Sequence, residues 1–266
     1  KACEMKLKVH GCRGSVPVNS DNQRKYGGNT SCFEITFGPY QIFFDTGTGF
    51  RTAKFGGPEI IKIILYSHWH HDHIQGLPFN PNIFDPNEEI LVSSALSPSH
   101  VSRQILRQYF SGSFFPVDFI DGLGNFSIHE FDYIKDRFKH DFKLDHVPLR
   151  HPGGASGYRI KIKDKIICYL CDNEFDTLQI SELKNFVEGA NVVIWDGMFT
   201  DAELLEKKGW GHSSISQGVY FHKKHSIEKL LITHHTPDRT DEQLDHINAQ
   251  LPEGVELAYD GMICEI

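Results

Sequence analysis

Short apolar runs separated by turn residues fill the first half of the chain. Lys6 to Cys12, Cys32 to Phe37, Gln41 to Asp45 and Ile60 to Tyr66 each have the length and residue types of a strand. Ile60-Ile61-Lys62-Ile63-Ile64-Leu65 is nearly all apolar, which predicts a central strand buried on both faces. Residues 98 to 110 change period: Val101, Ile105, Leu106 and Tyr109 fall on one helical face. Asp118 to Leu149 reads as further strand and loop. Tyr158 to Leu170 reads as a hairpin turning near Lys163-Asp164-Lys165, and Asn191 to Trp195 as another buried strand. Ser214 and Gln217 have capping-box spacing and open a helix toward Phe221. Thr236-Pro237 reads as another helix start, with proline in the first turn. No low-complexity linker or clear internal repeat divides the chain, and each half runs strands, then helices. One α/β domain over residues 1–266 is expected.

The buried strand ending at Tyr66 delivers Ser67-His68-Trp69-His70-His71-Asp72-His73. His68, His70, Asp72 and His73 cannot share one helix face, but a tight loop after a strand can turn them toward one point. Ligand sites at the carboxyl ends of strands are the habit of such sheets. His151, Asp172 and His234 each follow a predicted strand far downstream. Imidazole and carboxylate are donors for zinc and similar divalent ions.

His68-x-His70-x-Asp72-His73 resembles the HxHxDH signature of the metallo-β-lactamase superfamily. Asp45 resembles that family's early aspartate, which braces the metal loop. His151 in His151-Pro152-Gly153-Gly154 resembles its third-motif histidine, Asp172 its bridging aspartate and His234 its last ligand. The resemblance implies an αββα four-layer sandwich, with two sheets face to face and helices outside. It also implies a two-metal hydrolytic centre. His68, His70 and His151 would hold the first ion, and Asp72, His73 and His234 the second, with Asp172 bridging. Two such ions ~3.5–4 Å apart hold a hydroxide at neutral pH. Asp72 has a second expected role, orienting that nucleophile. Zinc is the default, and manganese or iron suits the same donors. His71 and His235 are expected to be non-ligands. His10, His100, His129, His140, His146, His222 and His225 are read as surface or packing residues.

Trp195-Asp196-Gly197-Met198-Phe199 and Gly209-Trp210-Gly211-His212-Ser213-Ser214 resemble the phosphodiesterase branch, tRNase Z in particular. There an acid and a histidine form a proton-donating pair. Asp196 takes the acid's place, usually glutamate in tRNase Z, and His212 the histidine's. A histidinium can protonate a poor alkoxide leaving group, and a neighbouring carboxylate raises its pKa. The plainer alternative is that His212 caps the helix starting near Ser214. Gly11-Cys12-Arg13-Gly14-Ser15 and Tyr26-Gly27-Gly28-Asn29-Thr30-Ser31 also resemble this branch. Asn29 and Thr30 are candidate phosphate donors, and Gly154 is a candidate substrate contact in a turn that opens space over the metals.

Composition narrows the substrate. A net charge of −8 argues against broad polynucleotide binding, which rests on neutralising many phosphates. Ile74 to Arg150 lacks the Gly/Pro-rich arm with which tRNase Z grips tRNA. Phe79, Tyr109, Phe110, Phe114 and Phe115 are candidates to line a pocket and stack on a base, against the alternative of core or dimer interface. A small phosphodiester, a cyclic nucleotide or a similar nucleotide-like ester, is the favoured substrate. The alternatives are a tRNA 3′-processing endonuclease, a thioester, lactone or β-lactam hydrolase, and a non-catalytic metal-binding scaffold. A homodimer is a reasonable expectation. No apolar run approaches the ~20 residues of a membrane span. Lys1-Ala2-Cys3-Glu4 is not followed by the apolar stretch of a signal peptide, although the missing initiator Met allows an upstream segment to have been trimmed. Cysteines at 3, 12, 32, 168, 171 and 264 read as reduced, buried thiols, Cys168-x-x-Cys171 included, which favours the cytoplasm.

Overall fold

The computed structural model describes residues 5–266; the reading of Cys3 and of the first four residues lies outside them. The first half builds one sheet. Its strands are β1 (Lys6–Gly11), β2 (Cys32–Phe37), β3 (Tyr40–Phe44), β4 (Ile61–Tyr66), β5 (Ile90–Ser94) and β6 (Phe126–Ile128). Between them lie α1 (His71–Ile74), α2 (Ser99–Tyr109) and α3 (Phe119–Gly122). α4 (Phe131–Arg137) leads into the second sheet, made of β7 (Lys143–Leu149), β8 (Ala155–Ile162), β9 (Lys165–Leu170), β10 (Val192–Asp196), β11 (Lys229–Thr233) and β12 (Val255–Leu257). α5 (Ile180–Val187), α6 (Asp201–Glu206), α7 (Ile215–His225) and α8 (Asp241–Asn248) cross between these strands. The last strand, β13 (Ile263–Glu265), returns to the first sheet beside β1.

The sheet orders are β13-β1-β2-β3-β4-β5-β6 and β12-β11-β10-β9-β8-β7. β3 through β6 run parallel, as do β9 through β12. Phe33, Phe44, Leu65, Tyr158, Tyr169, Ile194 and Leu231 pack in one buried layer between the sheets. Phe44 stacks on Tyr169 with ring centroids 5.0 Å apart. Leu183, Trp195, Phe221 and Leu244 bury the outer face of the second sheet under α5, α7 and α8, and Leu106 with Phe110 does the same for the first under α2. The architecture is the four-layer αββα sandwich. Among the described residues, no helix is long and apolar enough to cross a membrane. The cysteines at 12, 32, 168, 171 and 264 are buried free thiols.

Three local readings need correction. Asp118 to Leu149 holds two short helices, α3 and α4, besides strand and loop. Neither has a side-chain cap, so neither leaves a start signal. Thr236-Pro237 lies in a turn; the helix begins after Thr240, whose hydroxyl accepts from the Gln243 N–H at 3.3 Å in a capping box. Phe110 is buried in the core and is not available to a pocket.

Candidate metal centre

Every candidate ligand sits just past the carboxyl end of a strand. β4 feeds the His68–His73 loop, β7 His151, β9 Asp172 and β11 His234. Asp45 organises the loop from the end of β3. Its Oδ1 accepts from the Ser67 N–H at 2.8 Å, and its Oδ2 from the Ser67 hydroxyl at 2.7 Å, the Tyr169 hydroxyl at 2.7 Å and His73 Nδ1 at 2.8 Å. Occupying His73 Nδ1 leaves Nε2 to face the site. Asp45, Asp172 and His234 have φ of 60°, 62° and 64°. The left-handed region costs a non-glycine residue about 1–3 kcal/mol, a cost met where side-chain direction matters most.

Asp172 faces two ways. Its Oδ2 lies 3.6 Å from His68 Nε2 and 3.5 Å from His151 Nε2, while Oδ1 lies 3.2 Å from both His73 Nε2 and His234 Nε2. Asp72 Oδ2 joins the second set, 3.2 Å from His234 Nε2 and 3.4 Å from His73 Nε2. His70 Nδ1 joins the first, 2.9 Å from His151 Nε2. His68, His70 and His151 thus gather on one side of Asp172 and Asp72, His73 and His234 on the other, while Asp172 and His234 also converge with Asp196 and His212. Ligands ~2.0–2.1 Å from a tetrahedral ion stand about 3.3 Å apart, so these spacings suit divalent metal ions. His68 Nε2 is also buried without a hydrogen-bond partner. Such an orphan calls for one, and a cation amid these donors fits.

The electrostatics of the first group and of the carboxylates agree with a cation site, whereas at His73 burial is outweighed by Asp172, Asp72 and Asp45, which pull it up. Burial pushes His68, His70 and His151 below the ordinary histidine range, keeping them neutral as ligands must be. Burial opposes charge on Asp72, yet His73 and His234 hold it well below the usual carboxylate range. Asp172 is likewise held low against its burial by His234, His73 and His68.

His212 lies at the edge of both groups. Its ring stacks on His234 at 4.9 Å between centroids and meets His151 at 5.1 Å. Its Nδ1 donates to Asp196 Oδ2 at 2.8 Å, so an aspartate reaches it. Burial pushes His212 down, but the Asp196 carboxylate more than reverses this and raises it to about 9. Ser214, not His212, caps α7: its hydroxyl accepts from the Gln217 N–H at 3.1 Å.

Other candidates fare differently. Asn29 gives both its backbone and side-chain N–H groups to Asp260 Oδ2, at 3.0 and 2.9 Å. Thr30 is wholly buried, its hydroxyl accepting from the Thr48 N–H at 2.9 Å. Both side chains are thus engaged within the fold. Gly154 is half-buried with φ of 84°, in a turn where its N–H donates to His151 O at 2.8 Å. His71 is exposed and bonds through Nδ1 to the Tyr109 hydroxyl. His235 is buried and donates from Nε2 to Ala258 O at 2.8 Å. Phe79 and Phe114 are exposed, and Phe115 is half-buried against Phe79.

Several supports escaped the sequence reading. The Ser15 N–H donates to Asp72 Oδ2 at 2.7 Å, the Cys171 thiol to Asp172 Oδ1 at 3.1 Å, and His151 Nδ1 to Gly211 O at 2.8 Å. Only the glycine at Ser15's side and the Cys-Asp pairing at 171–172 hinted at any of these; backbone partners leave no residue-type signal.

Residues 40–235 match the family described as the beta-lactamase superfamily domain. The chain belongs to the beta-lactamase superfamily, and with this donor set it is a metal-dependent hydrolase. It is 25% identical to a Ribonuclease Z of Clostridium kluyveri over 289 aligned positions, covering 90% of this chain and 91% of that one. Solved structures that share the fold include two of similar length. One is the metallo-beta-lactamase fold protein YhfI from Bacillus subtilis, with a TM-score of 0.71, 19% identity and coverage of 99% of this chain and 100% of the other. The second is a diphosphatase from the PhnP family, also at 0.71 and 19%, covering 98% of each chain.

Proposed function

We propose that this protein is a dinuclear-metal phosphodiesterase acting on a small, nucleotide-like phosphodiester, cyclic nucleotides included, as a single hydrolase domain. The observation that carries this reading is the His212–Asp196 pair, 2.8 Å apart and packed against His234 and His151. A histidinium held in this way can protonate the poor alkoxide leaving group of a phosphodiester, a step the thiolate expelled from a thioester does not need.

In this reading His68, His70 and His151 would hold one ion and Asp72, His73 and His234 the other, with Asp172 as a donor facing both sets. When bound, two divalent ions, zinc first and manganese or iron next, would supply a water nucleophile at neutral pH and offset phosphoryl charge. Asp72, held by the Ser15 N–H, orients that water. Asp196 keeps His212 charged and aimed, and His212 gives its Nε2 proton to the departing oxygen. Gly154, beside His151, is the remaining candidate substrate contact.

A net charge of −8 supports a small substrate over a long polyanion. The likeness to a Ribonuclease Z supports the second reading, tRNA 3′-processing. The relative named a diphosphatase supports phosphoryl chemistry on smaller molecules. Buried free thiols support a reducing, cytoplasmic setting. The exposed aromatics Phe79 and Phe114 support a homodimer. The test is turnover of bis-nitrophenyl phosphate, cyclic mononucleotides and a tRNA precursor by metal-loaded protein. Preference for the tRNA precursor would move the assignment to the second reading.

A further inference from the structure

The loop that carries His212 is held by a side chain outside both donor groups. Glu174 Oε1 and Oε2 accept from the Gly209 N–H at 3.0 and 2.8 Å, and Oε2 also accepts from the Gly211 N–H at 2.9 Å. Gly211 O accepts in turn from His151 Nδ1 at 2.8 Å. The Glu174 N–H donates to Arg150 O at 2.8 Å. One residue therefore ties together three segments: Arg150-His151 after β7, Asp172 to Glu174 after β9, and the loop from α6 to His212.

The loop needs this tie. Gly209 and Gly211 both have φ of 86°, a conformation open to glycine and strained for other residues. A Cβ on Gly211 would collide with His151 Nδ1 and Pro152, so the loop lies directly on the ligand ring. No strand or helix pairs these two N–H groups; a carboxylate receiving both makes charge-assisted bonds, stronger than neutral ones. The consequence for chemistry runs in two directions. With Gly211 O in place, the His151 proton stays on Nδ1 and the Nε2 lone pair faces Asp172. With the loop in place, His212 follows Gly211 directly and stacks on His234.

We propose that Glu174 is a positioning residue for both metal retention and proton donation, acting through the Gly209–Gly211 backbone; the second half of this role rests on the phosphodiesterase reading. A purely structural role would lower thermal stability and leave chemistry untouched.

The test compares Glu174→Ala and Glu174→Gln with the natural protein by zinc titration against a competing chelator, and by kcat and KM for a nitrophenyl and an alkyl phosphodiester. Loss of an outer partner of a ligating histidine weakens metal binding about 10-fold to 100-fold, and the Ala variant is expected in that range. Its kcat is expected to fall more for the alkyl than the nitrophenyl ester, with KM little changed. The Gln variant, which keeps one acceptor oxygen, recovers part of both losses and serves if the Ala variant does not fold. Natural zinc affinity in both variants overturns the metal half; equal losses of kcat on both esters overturn the proton half. If the natural protein cleaves no phosphodiester, the functional reading fails separately, and zinc affinity alone decides the role of Glu174.

Discussion

The two donor groups share Asp172 and otherwise differ. The first, His68, His70 and His151, carries no carboxylate of its own, and His70 is exposed while the His68 and His151 side chains are buried. The second, Asp72, His73 and His234, is buried throughout and adds a carboxylate. Its surroundings are charged too, with Asp45 on His73. The difference teaches where the centre opens and where it is anchored. The imidazole-rich side meets solvent at His70, and the carboxylate-rich side is enclosed by protein.

The largest effect comes from removing what the groups share. Asp172→Ala is expected to abolish hydrolysis and lower bound metal below two per chain by elemental analysis; full metal with full activity would break the bridging assignment. His68→Ala is expected to do the same from the first side alone. Next comes His212→Ala, outside the two sets of three and paired with Asp196. Metal should stay, and turnover should fall ~10²–10⁴-fold, the range for a lost general acid. The fall should shrink for a nitrophenyl ester, and equal losses on good and poor leaving groups would argue against proton donation.

A chelator sharpens the comparison further. The exposed, carboxylate-poor group should release its ion first, in a step that His70→Ala removes; simultaneous release would make the two groups equivalent.

Two pH effects are smaller. His212 donates only while protonated, so turnover of an alkyl ester should decline as pH rises through its pKa. Asp196 raises that pKa to about 9, and nearby cations pull it back down. Asp196→Asn should shift this limb to lower pH; an unshifted limb would assign it to another group. His235, beside the second group, is the reverse case: burial lowers its pKa to about 3. The folded state therefore excludes a proton that the unfolded chain accepts below about 6.5. Stability should be fully present above that pH and decline at up to about 1.4 kcal/mol per unit down to about 3, seen as a falling midpoint in urea. A flat response would count against a neutral buried imidazole.

Much of the fold was legible because its signals are local. The apolar run into His68 announces a central strand, and Ser214 with Gln217 announces a helix by side-chain chemistry. α3 and α4 were not, because four- and seven-residue helices without caps resemble loop. Thr240 and Gln243 carried the true cap signal, and the nearby proline drew attention from it. The metal candidates stood out by residue type and spacing. Asn29 and Thr30 shared the right residue types, but Asn29 donates to Asp260 and the Thr30 hydroxyl accepts from the Thr48 N–H, partners that only the fold brings near. Glu174 was invisible for the same reason: its partners are backbone N–H groups thirty-five and thirty-seven residues away.

The measurement that bears most directly on the account is metal content by elemental analysis, coupled on the same sample to turnover of bis-nitrophenyl phosphate and cyclic mononucleotides. The account predicts two divalent ions per chain and phosphodiester turnover lost with them. Two ions without any phosphodiester cleavage, or cleavage that survives their complete removal, would contradict it.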